Sequence, residues 1–292
     1  MKKVLIPLLI GILFSGSYIA AKYATFDLGP LTTTLFRYFI ALIFLSVITL
    51  HFKSKSLKIK VNDWWKFVLL GIFGIIGYHF FFFTSLRYTT VANTGVINAF
   101  SPAVTGILAA LFLKERLSKR NYFGVGLALF GVLVLVTKGN FSALLGMSFN
   151  LGDLLMLLSV ISWAVYALII KWMSRKYHSF TLTFYATLAA VIILVFMSFV
   201  ENTWDQLRTI STVSTLSVIY MGLFASGIGY LLYNYSIKEI GPTKTSSFVY
   251  SAVPILVAIL AFLFFKEVIT IVMVVSIAFI ITGLHLALSE KK

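Results

Sequence analysis

The sequence predicts an all-α integral membrane protein in which ten transmembrane helices form two inverted five-helix repeats. The first observation is composition: of 292 residues, 60% are hydrophobic and only 11% are charged, whereas a soluble domain carries about 25% charged residues. The second is a duplication, because landmarks of the first half recur in the second half at a constant spacing. The third is that basic residues are concentrated in alternate loops, as in membrane proteins of fixed orientation.

Ten apolar segments are close to the roughly 20 residues that a helix needs to cross the hydrocarbon core. Uninterrupted runs such as ALIFLSVITL lack the alternation of a membrane β-barrel. Since backbone amides that face lipid must be paired within their own segment, each apolar segment is predicted to be a helix. The predicted spans are residues 4–24, 30–51, 66–86, 89–113, 120–137, 152–172, 180–200, 213–236, 242–265 and 269–288.

Landmarks of the stretch from Gly71 to Leu117 recur 152 residues later without a gap. The paired positions are Gly77 with Gly229, Tyr78 with Tyr230, Pro102 with Pro254, Lys114 with Lys266, and Glu115 with Glu267. The preceding helices match more weakly, at a spacing of 149 residues, as Thr32 does with Thr181. We therefore predict a first repeat over residues 1–138, a connecting segment over 139–151 and a second repeat over 152–292.

The distribution of Lys and Arg predicts that both termini are cytoplasmic. The N-terminus, the even-numbered loops and the C-terminus together hold 18 Lys and Arg, and the odd-numbered loops hold 5. Positive charge accumulates on the cytoplasmic side, so we expect a multi-pass protein of the cytoplasmic (inner) membrane. Because each repeat contains five spans, an odd number, the second repeat must enter the membrane in the opposite orientation.

Several motifs carry a resemblance to a known family. They are FSGSYIAAKYA in the first span, Leu28-Gly29-Pro30 followed by Arg37, Pro102 with LKERLSKRNYFGVGLALFGVLVL, and ISWAVYALIIK at the start of the second copy. Over nearly its whole length the chain resembles the drug/metabolite transporter superfamily, in its EamA-like ten-helix branch. It departs from that pattern at Ser15-Gly16, where the family usually has Trp-Gly, and at Ala186, where an arginine is expected opposite Arg37. The resemblance implies metabolite transport, mostly export, and gives Glu115 and Glu267 a structural role.

Two prolines lie inside predicted helices at equivalent positions near the bilayer midplane. Pro102 and Pro254 each lack an amide donor and clash with the carbonyl four residues earlier, which belongs to Asn98 and Tyr250 respectively. A freed carbonyl beside a polar side chain at this depth is a candidate substrate contact. The alternative is that each proline only bends its helix and that neighbouring groups satisfy the carbonyl. We predict a gating or structural role for both prolines.

Polar and aromatic residues inside the predicted spans are candidates for a substrate-binding site. Polar side chains are costly in the hydrocarbon and usually face protein or water, although interhelical hydrogen bonding would also explain them. The candidate substrate-binding residues are Asn98, Tyr250, Asn93, Thr245, Tyr78, His79, Trp163, Tyr166, Tyr230 and Asn234.

Arg37 is the one basic residue well inside a span, about 10 Å from the predicted outer end at 1.5 Å per residue. It is a candidate for gating or substrate contact, with snorkelling to the interface or helix pairing as the alternative. The nine Asp and Glu all fall at span ends or in loops. Since proton-driven carriers often use an embedded carboxylate or histidine, His79 is the remaining candidate for proton transfer, with a packed neutral histidine as the alternative.

These features favour a secondary transporter that moves a small organic metabolite, an amino acid or a similar amphipathic solute, by alternating access, and the family resemblance implies export. The alternative is a non-transporting membrane scaffold or sensor. A membrane enzyme is disfavoured because the chain has no cysteine and no recognisable metal-ligand pattern or phosphate-binding loop. The expected partners are the small-molecule substrate and the lipid bilayer. We expect a monomer without a cofactor. We also expect no nucleic-acid partner, because the basic residues lie in short loops between spans.

Overall fold

The computed structural model describes residues 2–52, 57–113, 119–140 and 150–288. Within these ranges the chain is helical and contains no β-strand, which agrees with the predicted all-α class. Glu115 lies outside the described residues. Residues 141–149, which make up most of the predicted connecting segment, also lie outside them.

The long helical elements are labelled α1 to α10 in chain order. The elements α3 and α8 each consist of three consecutive segments, and α4 consists of two. The bounds are Lys2–Asp27 (α1), Pro30–Phe52 (α2), Trp64–Gly71, Ile72–Gly77 and Tyr78–Ser85 (α3), Val91–Asn98 and Ser101–Leu113 (α4), Lys119–Val136 (α5), Leu151–Met173 (α6), Ser179–Met197 (α7), Thr212–Tyr220, Met221–Gly229 and Tyr230–Ile240 (α8), Pro242–Phe265 (α9) and Ile271–Leu288 (α10). A short helix, Thr203–Arg208, lies in the connection from α7 to α8.

Among the described residues, 8 helices are long and apolar enough to cross a membrane. They are α1 to α4 and α6 to α9. The two remaining elements contain shorter apolar helices, Phe123–Leu135 in α5 and Ile271–Leu286 in α10, and these two elements pack against each other. The chain is therefore a multi-pass membrane protein, while membrane crossing by α5 and α10 stays a prediction.

The main helix contacts run between the two halves of the chain. The helix α1 packs against α8 and α9, and α6 packs against α3 and α4. In the sequence duplication α1 corresponds to α6, α8 to α3 and α9 to α4. Close approach depends on small residues: a Cβ added at Gly71 of α3 would lie 3.0 Å from the Ala190 amide nitrogen and 3.1 Å from the Ala186 carbonyl oxygen of α7.

The elements α3 and α8 each contain a π-helical segment, Ile72–Gly77 and Met221–Gly229. Both segments end at a glycine that precedes a tyrosine, and these glycines are equivalent in the duplication. A π-helix widens the turn by one residue, and such segments occur frequently at functional sites. Neither π-helix was expected from the sequence, which predicted ordinary spans here.

The two equivalent prolines have different effects on their helices. The helix α4 is interrupted at Ala99 and Phe100, between Asn98 and Ser101, and the Ala99 amide donates to the Val96 carbonyl at 3.1 Å in a tighter turn. The helix α9 continues through Pro254 without interruption. Only the helix around Pro102 is therefore interrupted, and the gating or structural role predicted for both prolines stays a prediction.

Two carboxylates anchor helix N-termini from distant parts of the chain. Glu201 accepts from the amides of Leu31 and Thr32 of α2 at 3.0 and 2.8 Å. Glu267 accepts from the amides of Val91 and Ala92 of α4 at 3.0 and 2.9 Å. A carboxylate at a helix N-terminus satisfies free amides and complements the positive end of the helix dipole. Glu267 therefore connects the segment between α9 and α10 to the N-terminus of α4, and the structural role predicted for it stays a prediction.

Candidate functional site

An aromatic cluster fills the centre of the protein, between α1, α2, α3, α6 and α8. The Trp163 ring lies 4.9 Å from Tyr78, 5.2 Å from Tyr166, 5.1 Å from Tyr230 and 4.8 Å from Tyr233, measured between ring centroids. These residues, with Phe14, Tyr38 and His79 at the edges, are called the central aromatic cluster. Five of the predicted substrate-binding residues belong to it, namely Tyr78, His79, Trp163, Tyr166 and Tyr230.

Asn98 lies at the α4 side of this cluster and is 1% exposed. Its amide nitrogen donates to the hydroxyl groups of Tyr18 and Tyr78, the latter at 3.3 Å, and its carbonyl oxygen accepts from Ser101 at 2.8 Å. The Tyr250 hydroxyl, on α9, also interacts with the Asn98 side chain. The structure thus brings together Asn98, Tyr250 and Tyr78, which the sequence had placed in one candidate site.

Two hydrogen-bonded chains extend from the cluster towards α9 and α7. The Trp163 indole nitrogen donates to the Tyr233 hydroxyl at 2.9 Å, and that hydroxyl lies 2.9 Å from the Ser246 hydroxyl. In the second chain the Tyr166 hydroxyl donates to the Asn234 side-chain oxygen at 2.9 Å, and the Asn234 amide donates to Thr183 at 2.8 Å. The polar groups of these two chains are therefore paired within the protein.

Arg37 is buried against the π-helical segment of α8 rather than extended to the membrane interface. It is 2% exposed, and its Nε donates to the Ser226 hydroxyl at 2.5 Å while its Nη1 lies 3.7 Å from the Met221 sulfur. Its guanidinium also lies 5.6 Å from the centroid of the Tyr38 ring. The snorkelling alternative is therefore wrong, and the helix-pairing alternative describes the contact with α8.

No ion pair within the described residues involves Arg37. A guanidinium stays charged in proteins, and a buried charge is costly unless a counter-charge or several hydrogen bonds compensate it. The partners here are one hydroxyl, one thioether and one aromatic ring. The position equivalent to Arg37 in the second half is Ala186, so this positive charge has no symmetric counterpart.

His79 is fully buried between Tyr38, Tyr78 and Tyr230. Its Nδ1 lies 2.9 Å from the Ile75 carbonyl oxygen, so this nitrogen must carry the proton. The Nε2 nitrogen has no hydrogen-bond partner among the described residues. The Nε2 atom is therefore a buried hydrogen-bond acceptor. This arrangement agrees with a role of His79 in proton transfer and equally with a packed neutral histidine.

Asn93 and Thr245 lie away from the central aromatic cluster. Asn93 lines a cavity of about 590 Å³ at one end of the bundle, beside Arg87, Lys138 and Glu267. Thr245 is buried, and its hydroxyl lies 3.0 Å from the Ser236 hydroxyl. The structure does not bring these two residues together with Asn98, and their predicted role in binding stays a prediction.

The sequence interpretation missed Tyr18, Tyr38 and Phe14. Phe14 and Tyr18 both lie in the FSGSYIAAKYA stretch that was used only for family resemblance. With 14 Tyr and 28 Phe in the chain, aromatic content did not distinguish the residues that face the centre. The spacing of four residues between Phe14 and Tyr18 was the available signal, because such residues share a helix face.

Cavities open at both ends of the bundle, and the central aromatic cluster is closed to each of them. At the end opposite the Asn93 cavity, a cavity of about 600 Å³ is lined by residues of the α2–α3 and α6–α7 connections and by Lys238. Trp163, Tyr166, Tyr230 and Tyr233 are each at most 2% exposed. The described residues contain no group of three or more His, Cys, Asp or Glu side chains that could hold a metal ion.

A bundle of apolar helices that encloses a charged and polar centre, with a cavity at each end, defines the class of multi-pass membrane transporters. This chain belongs to the EamA-like transporter family, whose sequence profile matches residues 1–137 and again residues 150–289. The predicted resemblance is therefore confirmed, and the family supports a membrane transporter.

Similar proteins are also described as transporters. The chain is 29% identical over 252 residues to the uncharacterized transporter YyaM of Bacillus subtilis (strain 168), covering 86% of this chain and 82% of that protein. It is 25% identical over 294 residues to an uncharacterized transporter of Archaeoglobus fulgidus, covering 100% of both. A solved crystal structure superposes with a TM-score of 0.73 at 20% identity, over 99% of this chain and 96% of that one, which shows a shared fold.

Proposed function

We propose that this protein is a secondary transporter that exports a small organic solute bearing a carboxylate, an amino acid or a similar amphipathic metabolite. The solute binds at the central aromatic cluster, with its carboxylate on Arg37. The observation that carries this proposal is a permanent cation that is 2% exposed and has no ion pair within the described residues. A bound carboxylate supplies the missing counter-charge through charge-assisted hydrogen bonds.

The remainder of the site fits the other parts of such a solute. Aromatic faces of Trp163, Tyr166 and Tyr230 provide apolar contact and attract an ammonium group. The unpaired Nε2 of His79 and the side-chain oxygen of Asn98 can accept hydrogen bonds from it. A single guanidinium at this depth does not match a doubly charged phosphate ester, so sugar phosphates are not the expected substrates.

Alternating access by two inverted five-helix repeats supplies the transport mechanism in this proposal. Support comes from the matched contacts of α1 with α8 and α9 and of α6 with α3 and α4, and from π-helical segments that end at equivalent glycines. Transporters with inverted repeats place the substrate between the repeats, near the midplane. The widened turns of α3 and α8 flank the central aromatic cluster, where a change of packing would open one end or the other.

The cavity beside Asn93 offers an access route to the site. Asn93 and Asn98 lie on the same segment of α4, about 7.5 Å apart along its axis at 1.5 Å per residue. A solute in the cavity reaches Asn98 by passing one and a half helical turns. The charge distribution predicts that this end faces outward, so the cavity is the release route in the export direction.

Initial transport rates in proteoliposomes test the proposal. Purified protein is reconstituted, and efflux is measured for neutral sugars, amino acids and sugar phosphates, against liposomes without protein. Trp163→Phe removes part of the aromatic surface that contacts the solute, which is worth about 0.5–1.5 kcal/mol, so the rate at low substrate concentration should fall about two- to tenfold. The matched control is Trp204→Phe, at a residue that is 69% exposed.

A clear result against the proposal would be an absence of protein-dependent flux for every solute in the panel. Equal rates in the Trp163→Phe and Trp204→Phe proteins would also count against it, because the substrate would then bind elsewhere. Preferential transport of sugar phosphates would contradict the proposed substrate class but would still support a transporter.

A further inference from the structure

A strongly basic cavity lies at the end of the bundle opposite Asn93. It has a volume of about 600 Å³, and its lining includes Lys58, Lys60, Arg175, Lys176, His178 and Lys238. No carboxylate is among its described lining residues. Basic pockets between transmembrane helices at the cytoplasmic side are suited to lipid head groups, and the sequence predicts that this end is cytoplasmic.

The acid nearest to the cavity does not neutralise most of these cations. Asp63 pairs with Lys66 at 2.6 Å and with Lys176, and it accepts from the Tyr177 hydroxyl at 2.5 Å. Both of its oxygens are therefore occupied. Lys58, Lys60, Arg175 and Lys238 form no ion pair within the described part of the chain, so the cavity has a surplus of positive charge.

The N-terminus of α7 adds to this positive potential. The helix has 19 residues and follows directly on the cavity-lining residues Arg175 to His178. His178, its N-cap residue, makes no side-chain capping hydrogen bond. The next hydroxyl, that of Ser179, belongs to a residue that is 2% exposed and has no partner among the described residues. By contrast, a carboxylate of the protein itself, Glu201, caps α2, which is the equivalent helix in the duplication.

Aromatic side chains place this cavity at the level of the lipid head groups. Trp65 and Trp172 lie beside each other at 6.5 Å and are 53% and 46% exposed. The Lys66 ammonium lies 4.6 Å from the Trp172 ring centroid. Tryptophan and lysine in this arrangement are typical of the membrane–water interface. Lys66 shares the carboxylate of Asp63 with the cavity residue Lys176, so these interface residues adjoin the cavity.

We propose that this cavity binds the phosphate group of an anionic phospholipid from the surrounding leaflet. Lys58, Lys60, Arg175 and Lys238 supply the charge, and the N-terminus of α7 adds a favourable electrostatic potential for a phosphate. The chemistry that is recognised is a phosphate diester, and inorganic phosphate is the soluble source of similar chemistry. This site is separate from the central aromatic cluster and does not depend on the proposed substrate.

Native mass spectrometry of the full-length protein in detergent tests this site. The protein is titrated with a short-chain phosphatidylglycerol, with phosphatidylcholine of the same chains, and with inorganic phosphate. We expect one phosphatidylglycerol to bind at least tenfold more tightly than phosphatidylcholine. Since each Lys or Arg contributes about fivefold to the binding of an anionic lipid, Lys60→Gln with Lys238→Gln should weaken phosphatidylglycerol binding about 30-fold, and Arg175→Gln alone about fivefold.

The matched control is Lys119→Gln with Arg120→Gln, which removes two exposed basic residues that also lie on the predicted cytoplasmic side but outside the cavity. It should leave phosphatidylglycerol binding within about twofold of the unmodified protein. Equal loss in the control and the cavity variants would overturn the proposal. So would equal affinity for the two lipids, or occupation by inorganic phosphate at concentrations where phosphatidylglycerol does not bind. Unchanged thermal unfolding shows that each variant is folded.

Discussion

Gly74 is the position at which α3 touches the ring of Tyr166, so Gly74→Ala tests the packing of the central aromatic cluster. An added Cβ would lie 2.5 Å from Cγ and 2.6 Å from Cε2 of that ring, whereas ordinary contacts begin near 3.4 Å. The ring would have to move by about 1 Å. It is held by stacking on Trp163 at 5.2 Å and by the hydrogen bond to Asn234 at 2.9 Å, so it cannot move freely.

The expected cost follows from these contacts. Overpacking costs about 1–3 kcal/mol, and loss of the hydrogen bond from Tyr166 to Asn234 adds about 1 kcal/mol. The higher helix propensity of alanine returns up to about 1 kcal/mol. We therefore expect Gly74→Ala to lower the free energy of unfolding by about 1–3 kcal/mol and to reduce transport, because the displaced ring lies in the site.

Unfolding by SDS titration in mixed micelles measures this change, with Gly126→Ala as the matched control. A Cβ added at Gly126 of α5 has no neighbour within 4 Å, so that variant should be as stable as the unmodified protein or slightly more stable. The double variant Gly74→Ala with Tyr166→Ala should cost less than the sum of the single changes, because the smaller side chain removes the clash. Additive costs, or a fully stable Gly74→Ala protein, would refute the proposed contact.

Two further predictions concern charges at the ends of the bundle. Glu201→Gln removes the charged acceptor of the Thr32 amide, so the free energy of unfolding should fall by about 1 kcal/mol; a loss of the same size in Glu239→Gln, at an exposed site, would contradict the capping role. The hydrogen bond to Asp63 raises the pKa of Lys176 above its usual value of 10.5, so this pair stabilises the fold below that pH and loses its effect as pH rises through the raised pKa. The difference in Tm between the unmodified and Lys176→Gln proteins should be constant near neutral pH and shrink in strong alkali, and a constant difference throughout would contradict the pairing.

Much of the fold could be predicted from the sequence because apolar length and charge placement act over whole segments. The spacing of 152 residues related Gly77 to Gly229, and both glycines end π-helical segments in the structure. The π-helices themselves could not be predicted, because they depend on close packing between helices from different parts of the chain. Local sequence at Pro102 and Pro254 is similar, and only α4 is interrupted.

The sequence indicated the types of residue in the candidate site better than it indicated which positions lie together there. Polarity within an apolar span selected Asn98 and Asn234, both of which hydrogen-bond to cluster tyrosines, while their role in substrate binding stays a prediction. The same criterion selected Asn93 and Thr245, which lie near the ends, because sequence position along a helix gives only approximate depth. Arg37 illustrates the limit most clearly: its distance from the span end allowed snorkelling, and its contact with Ser226 became visible only in the tertiary structure.

The most direct test of the account is the transport preference between an amino acid and its C-terminal amide. L-leucine and L-leucinamide are compared as competitors of the best-transported solute in proteoliposomes, for the unmodified protein, Arg37→Gln and the control Arg208→Gln, at the exposed end of the short helix Thr203–Arg208. A charge-assisted hydrogen bond contributes about 1.5–3 kcal/mol, so the unmodified and Arg208→Gln proteins should favour leucine by at least tenfold. Arg37→Gln should lose that preference, through a higher KM for the carboxylate. An unchanged preference in Arg37→Gln would contradict the assignment of Arg37 as the carboxylate site.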